Sequence, residues 1–198
     1  MKKFLTLRNI VLCSGALFLL VAFFISFAAK LSLTVEGEQG SFNGIVWGCK
    51  TFTIDGETMP ISKANLQING SVLPSGLLLA GAILMLVGAA GAVVVALLLK
   101  KRWAKWVVLG CAAVALTGAI FQFFALDSFA RALVDTIVKE STEPVSKEQY
   151  EQALVIYKQR IGGFAPKATV NVLMGVFGIV GSLAIGASSF VPEKELLK

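Results

Sequence analysis

Residues 75–99 form the stretch SGLLLAGAILMLVGAAGAVVVALLL, which carries no charged side chain over 25 positions. The hydrocarbon core of a bilayer is about 30 Å thick, so a helix that rises about 1.5 Å per residue needs about 20 apolar residues to cross it. The stretch meets that length and is followed at once by Lys100. It therefore predicts a transmembrane helix and sets the fold class.

Three further apolar runs flank this stretch, at residues 9–29, 106–126 and 167–190. The whole chain is 56% apolar and 15% charged, whereas a soluble domain is roughly 45–50% apolar and about 25% charged. We therefore predict an all-α membrane protein, a bundle of four transmembrane helices that forms a single membrane domain over residues 1–198.

The first run allows an alternative, because it follows Met1-Lys2-Lys3 in the way a secretory signal does. Its 21 residues exceed the roughly 7–15 of a signal's apolar core. Ala28-Ala29 nevertheless offers a small-residue cleavage site. We predict four spans, and three spans after cleavage is the alternative.

The basic residues predict the orientation of the chain. Both termini and the inner loop at residues 100–105 carry nine Lys and Arg against two Glu, whereas the outer loops at residues 30–74 and 127–166, with their flanks, carry nine against ten acids. Lys and Arg accumulate on the cytoplasmic side of membrane proteins. We therefore predict a multi-pass protein of the cell membrane with both termini in the cytoplasm.

The first outer loop has the composition of a small extracellular β-sheet. Its β-rich segments are Leu31–Val35, Ile45–Trp47 and Thr51–Ile54, and Asp55-Gly56 and Asn69-Gly70 are typical turns. We predict three or four strands. A sheet this small is marginal alone in water, so it should rest on the helix ends or on a partner.

The second outer loop has the pattern of two amphipathic helices. Apolar side chains form one stripe from Leu126 to Val138 and another from Tyr150 to Ile161, and Ser146 to Gln149 is a capping box. The third span should therefore continue beyond the membrane as helix. We expect the two stripes to pack on each other and on the sheet; a groove for a partner or lipid is the alternative.

Catalytic chemistry has little support in the sequence. The chain has no His, which removes the usual general base and metal ligand, so we expect no metal and no cofactor. The span interiors carry no charge that would mark an ion path. The basic residues flank apolar runs, which argues against nucleic acid as a partner.

In the predicted topology, neither Cys13 nor Cys111 can reach Cys49 to form a disulfide. Cys13 and Cys111 lie near the cytoplasmic ends of their spans, where we expect them to be small buried hydrophobic residues. Cys49 is the one cysteine on the predicted outer side. Two alternatives remain for it, a buried free thiol or a disulfide to another chain.

Small residues recur at helical spacing in two of the predicted spans. Such ladders allow helix backbones to approach closely where lipid provides no hydrophobic drive. We expect them to pack helices within the chain, and contact with a second copy or a partner is the alternative. The candidate helix-packing residues are Gly81, Gly88, Gly178, Ser182 and Gly186.

The first outer loop also contains GIVWGC at Gly44 to Cys49. This hexapeptide is similar to the claudin signature, in which Gly-Leu-Trp precedes the first of two cysteines. With its four spans, β-rich first outer loop and short basic inner loop, the chain resembles the claudin and peripheral myelin protein superfamily. The resemblance implies that Trp47 packs on the helix ends and that Cys49 forms half of a disulfide. The second cysteine and the earlier tryptophan of the signature have no counterpart, and the spacing from Trp47 to Cys49 is shorter.

The remaining features favour a non-enzymatic membrane protein that acts through its outer loops as an interaction, adhesion or accessory subunit. Its expected partners are the lipid bilayer and a protein or a second copy of the chain. The alternatives are a small-solute channel component, or an enzyme acting on lipid or quinone with Asp127, Arg131 and Asp135 as its charged groups. The candidate interaction residues are Trp47, Gly48, Cys49, Phe52, Tyr150 and Tyr157.

Overall fold

The computed structural model of the chain describes residues 6–35, 38–54, 56–61, 71–98, 103–141, 144–163 and 167–191. The predicted turn at Asn69-Gly70 and residues 100–102 of the predicted inner loop lie outside these ranges. The helices and strands are α1 Leu7–Ile25, β1 Lys30–Val35, β2 Glu38–Asn43, β3 Thr51–Ile54, β4 Glu57–Pro60, α2 Gly76–Leu98, α3 Ala104–Phe121, α4 Ala125–Glu140, α5 Lys147–Gly163 and α6 Thr169–Ser188.

Within the residues described, four helical stretches are long and apolar enough to cross a membrane, which confirms the prediction of four long apolar helices. They are Leu7–Ala28, Gly76–Ala96, Ala104–Glu140 and Thr169–Ser188. The third is the longest because a 3₁₀ turn at Gln122–Phe124 joins α3 to α4. The expected continuation of the third helix beyond residue 126 is therefore present.

The chain divides into two compact units. The helical unit contains Met1–Ile25, Ala80–Phe123 and Leu173–Lys198. The loop unit contains Ser26–Leu79 and Phe124–Val172.

Glycines set the distance between the helices of the helical unit. A Cβ added to Gly15 of α1 would lie 2.7 Å from the backbone oxygen of Gly181 in α6, and one added to Gly118 of α3 would lie 2.5 Å from that of Gly81 in α2. Real Cβ atoms do not approach other atoms this closely. Only glycine therefore permits the backbones of α1 and α6, and those of α2 and α3, to touch at these positions. Small residues allow the same close approach in membrane helix pairs.

The loop unit contains a four-stranded antiparallel sheet in the order β1-β2-β3-β4. The described chain between β3 and β4 is Gly56, whose φ of 84° lies in the left-handed region that glycine adopts without strain. The strand number agrees with the expected three or four, and the sheet lies between the first two long apolar helices of the chain.

The predicted strand at Ile45–Trp47 is wrong. These residues form a turn, in which the amides of Trp47 and Gly48 both donate to the backbone oxygen of Gly44 at 3.0 Å. Gly44 has a φ of 75° and Gly48 a φ of 111°, and neither value fits a strand. The two flanking glycines thus reverse the chain where the β-branched residues alone favoured an extended segment.

Helices α4 and α5 lie where the two apolar stripes predicted helices. The capping box at the start of α5 is confirmed: the Ser146 amide donates to Gln149 Oε1 at 2.8 Å, and the Gln149 amide donates to Ser146 Oγ at 3.2 Å. These bonds satisfy two amides that the helix itself leaves unpaired.

Candidate functional site

The loop unit is the candidate functional site, and its first feature is the environment of Trp47. The indole Nε1 donates a hydrogen bond to Ser26 Oγ at 2.8 Å. The indole ring also stacks on Phe27, with 5.0 Å between ring centroids and 2° between ring planes. Ser26 and Phe27 directly follow α1 in sequence, so these contacts attach the Gly44–Gly48 turn to the first residues of the loop unit.

Cys49 is fully buried within the loop unit. Its backbone pairs with Val72 through two hydrogen bonds of 3.1 and 2.8 Å, and its thiol donates to the backbone oxygen of Thr51 at 3.3 Å. Burial raises the pKa of the thiol from 9.0 to about 11. The group therefore stays protonated at neutral pH and is a poor nucleophile.

All three cysteines are free thiols, and the prediction that Cys13 is buried is wrong. Cys13 is exposed on α1, because this helix turns Leu12, Ala16 and Leu19 inward instead. Cys111 is half-buried in α3.

An aromatic cluster joins the sheet to α4. Phe42 of β2 contacts its cross-strand partner Phe52, with ring centroids 4.9 Å apart, and Phe129 of α4, with ring centroids 5.0 Å apart. Phe129 is completely buried and Phe52 nearly so. The sheet thus rests on a helix of its own unit, as its small size requires.

Two hydroxyl contacts attach the segment before α2 to α4. The backbone amide of Leu73 donates to Thr136 Oγ1 at 2.9 Å, and the hydroxyls of Ser75 and Ser128 lie 2.5 Å apart. Both serines are buried, and the chain has no His to activate them. The serine pair is therefore a structural contact rather than a nucleophile and its base.

Polar contacts connect α4 to α5 along their exposed edges. Asp127 pairs with Lys158 and accepts a 3.2 Å hydrogen bond from Arg131. The hydroxyl of Tyr150 donates to Asp135 Oδ1 at 2.7 Å, and this bond to a carboxylate raises the pKa of the tyrosine from 10.0 to about 12. The three charged groups considered for an enzyme are thus engaged in helix contacts.

An apolar groove of about 190 Å³ lies between α4 and α5. Its walls are aliphatic except for the side chains of one serine and one tyrosine. The residues that line it are Val134, Ile137, Val138, Ser141, Val145, Ala153 and Tyr157.

The six candidate interaction residues fall into two sets. Trp47 and Gly48 are half-buried in the turn, and Cys49 and Phe52 are interior residues. Tyr150 and Tyr157 are half-buried on α5, where Tyr157 reaches the groove. Of the six residues, Tyr157 lines the groove between α4 and α5.

Helix α5 also carries an exposed aliphatic pair that was not predicted from the sequence. Val155 is 52% exposed and Ile156 is 49% exposed, although they lie between the groove residues Ala153 and Tyr157 in sequence. The signal was present, because these two residues interrupt the polar face that an amphipathic helix would keep.

The candidate helix-packing residues all lie in the helical unit. An added Cβ would lie 2.7 Å from the Ala115 side chain at Gly88 and 2.6 Å from the Ala119 side chain at Gly178. Ser182 Oγ donates to the backbone oxygen of Gly178 at 2.7 Å, whereas an added Cβ at Gly186 would have ordinary contacts from 3.7 Å. Together with Gly81 against Gly118, three of the four glycines sit at close helix contacts within the chain.

Within the described part of the chain, no three His, Cys, Asp or Glu side chains come together in a way that could hold a metal ion. Comparison of the chain with protein-family models and with curated proteins finds no match.

Proposed function

We propose that this is a non-enzymatic multi-pass protein of the cell membrane that binds a protein partner through its loop unit. Both termini lie in the cytoplasm and the loop unit lies outside. The charge distribution supports this orientation, because the predicted inner side carries nine bases against two acids.

The observation that carries the proposal is the apolar surface of α5. Val155 and Ile156 are about half exposed on a helix whose neighbours Ala153 and Tyr157 border an apolar groove. Large exposed aliphatic residues beside a concave apolar surface are typical of protein-binding sites. Burying the two side chains would remove apolar area from water and stabilise a complex.

The chemistry of the loop unit supports binding rather than catalysis. The buried Cys49 thiol stays protonated, and Ser75 pairs with Ser128. Asp127 and Asp135 are occupied by contacts between α4 and α5. A nucleophile with an adjacent base is therefore absent from the described residues of this unit.

The test is purification of tagged protein from its native membranes in mild detergent, with V155K/I156K as the test variant. We expect a co-purifying protein whose recovery falls at least tenfold in this variant, because two charges would be placed in an apolar interface. The matched control is Q152K/Q159K, which adds the same charges at exposed polar positions of α5.

Two outcomes would contradict the proposal. One is a monodisperse sample without a partner, accompanied by ion flux in liposomes, which would favour a channel. The other is equal loss of the partner in both variants, which would assign the effect to charge rather than to the apolar surface.

A further inference from the structure

Helix α5 presents a narrow strip of exposed side chains. The strip consists of Gln152, Val155, Ile156 and Gln159, and all four are exposed. Residues three or four positions apart are neighbours on the same face of a helix. The four side chains therefore form one continuous surface, which we call the α5 strip.

The α5 strip has the same order of side chains in both directions: an amide, two aliphatic residues and an amide. Its centre lies between Val155 and Ile156, at the middle of α5, which runs from Lys147 to Gly163. A two-fold axis through this centre would bring the strips of two copies together in opposite directions. In such an isologous pair every contact occurs twice, so the surface has to be complementary to itself.

The chemistry of the α5 strip meets this condition. At the centre, the aliphatic pair of one copy would cover that of the other, and both pairs would be removed from water. On each side, Gln152 of one copy would face Gln159 of the other. A glutamine amide carries both donors and an acceptor, so the two amides can bond to each other.

The charges along α5 favour the same direction of pairing. The first half of the helix carries Glu148 and Glu151, both exposed, against Lys147. In the sequence, the second half carries Lys158 and Arg160 and no acid. Antiparallel pairing places the acidic half of each copy beside the basic half of the other, whereas parallel pairing would align like charges. Antiparallel helix dipoles add a further attraction.

We propose that the protein partner at the surface of α5 is a second copy of this chain, bound by antiparallel contact between the two α5 strips. The inference rests on the proposed function, because it names the occupant of the same surface. The two-fold symmetry of the strip and the opposite charges of the two halves of α5 favour a second copy over another protein.

The first test measures the mass of the full chain in mild detergent by sedimentation equilibrium. We expect a dimer whose dissociation constant rises about tenfold in V155K/I156K, because pairing would place four added charges in an apolar contact. Q152K/Q159K should have the smaller effect, since a lysine at the end of the strip can extend its ammonium to water.

The second test uses two charge variants that carry different tags and are produced in the same cells. E148K/E151K makes both halves of α5 basic, and Q159E/R160E makes both halves acidic in net charge. We expect mixed pairs to be recovered about fivefold more than pairs of either variant with itself, because only mixed pairing joins opposite charges at both ends.

Both charge variants keep Val155 and Ile156, so they decide the question if V155K/I156K does not fold. They also keep Lys158, which pairs with Asp127 of α4.

The results distinguish this inference from the proposed function. A monomeric chain that still co-purifies another protein through Val155 and Ile156 would overturn the second copy and leave the proposed function intact. A chain without any partner would overturn both. A dimer unaffected by V155K/I156K, or equal recovery of mixed and like pairs, would overturn the pairing of the α5 strips.

Discussion

Trp47 donates its indole hydrogen to Ser26 at 2.8 Å, across 21 positions of sequence. This bond joins the turn between Gly44 and Gly48 to the residues that follow α1. The stacking of the same ring on Phe27 makes a second contact with that segment. The two contacts together attach the Gly44–Gly48 turn to the start of the loop unit.

Replacing Ser26 with alanine should destabilise the loop unit, because the indole N–H would lose its acceptor while Ser26 itself is fully buried. The expected loss is about 1–3 kcal/mol in the free energy of unfolding. Thermal unfolding in detergent, followed by near-ultraviolet circular dichroism of the tryptophans, measures it. Ser14→Ala, at an exposed position of α1, is the control. Equal losses in the two variants would show that the Trp47 contact contributes no stability.

Cys49 should resist alkylation in the folded protein. Burial blocks access, and a pKa of about 11 keeps the thiol protonated at neutral pH. In a chain with C13A and C111A, iodoacetamide at pH 7.5 should label Cys49 at least 100-fold more slowly before unfolding than after it. Fast labelling of the native protein, or a disulfide-linked dimer on a non-reducing gel, would contradict the buried position.

The raised pKa of Cys49 predicts how the stability of the folded protein changes at alkaline pH. Its pKa is higher in the folded state than its ordinary value of 9.0, so the folded state binds the proton more tightly. The contribution to stability is complete below pH 9 and is lost as the pH rises towards 11. Cys49→Ala should remove this part of the loss of stability at alkaline pH. Thermal unfolding of both proteins between pH 8 and pH 11 measures the difference.

Tyr150 should ionise late because its hydroxyl donates to Asp135 at 2.7 Å. The chain has two tyrosines, so Tyr157→Phe leaves one to be followed by absorbance at 295 nm. We expect its transition near pH 12, and at lower pH once Asp135→Asn removes the carboxylate. A transition unchanged by Asp135→Asn would mean that the hydrogen bond does not hold α5 to α4.

The apolar helices could be predicted from length and charge alone, because a span needs only about 20 apolar residues whatever its neighbours are. The strands of the sheet were harder to predict from the sequence. Strand β2 has the sequence EQGSFN, in which Phe42 is the one large apolar residue, so no alternation marks it. Its pairing instead depends on the aromatic contact with Phe52 and on Gly40, where an added Cβ would lie 2.6 Å from the Phe52 ring.

The groove between α4 and α5 could not be predicted, because periodicity gives the faces of a helix but not the space between two helices. The exposed pair could have been predicted, since Val155 and Ile156 are apolar residues that lie off the apolar stripe of α5. The structure buries Leu154 and leaves Val155 and Ile156 exposed.

Gly15 provides a direct test of helix packing. An alanine there would place Cβ 2.7 Å from the backbone oxygen of Gly181, and a backbone atom cannot rotate away as a flexible side chain can. We expect Gly15→Ala to cost about 1–3 kcal/mol through overpacking. The matched control is Gly110→Ala in α3, where an added Cβ meets nothing within 4 Å; it should be neutral or stabilise by up to about 1 kcal/mol, since alanine is the better helix former. Unfolding in mixed micelles with increasing SDS measures both. If Gly15→Ala were as stable as Gly110→Ala, α1 and α6 would not approach each other at their glycines.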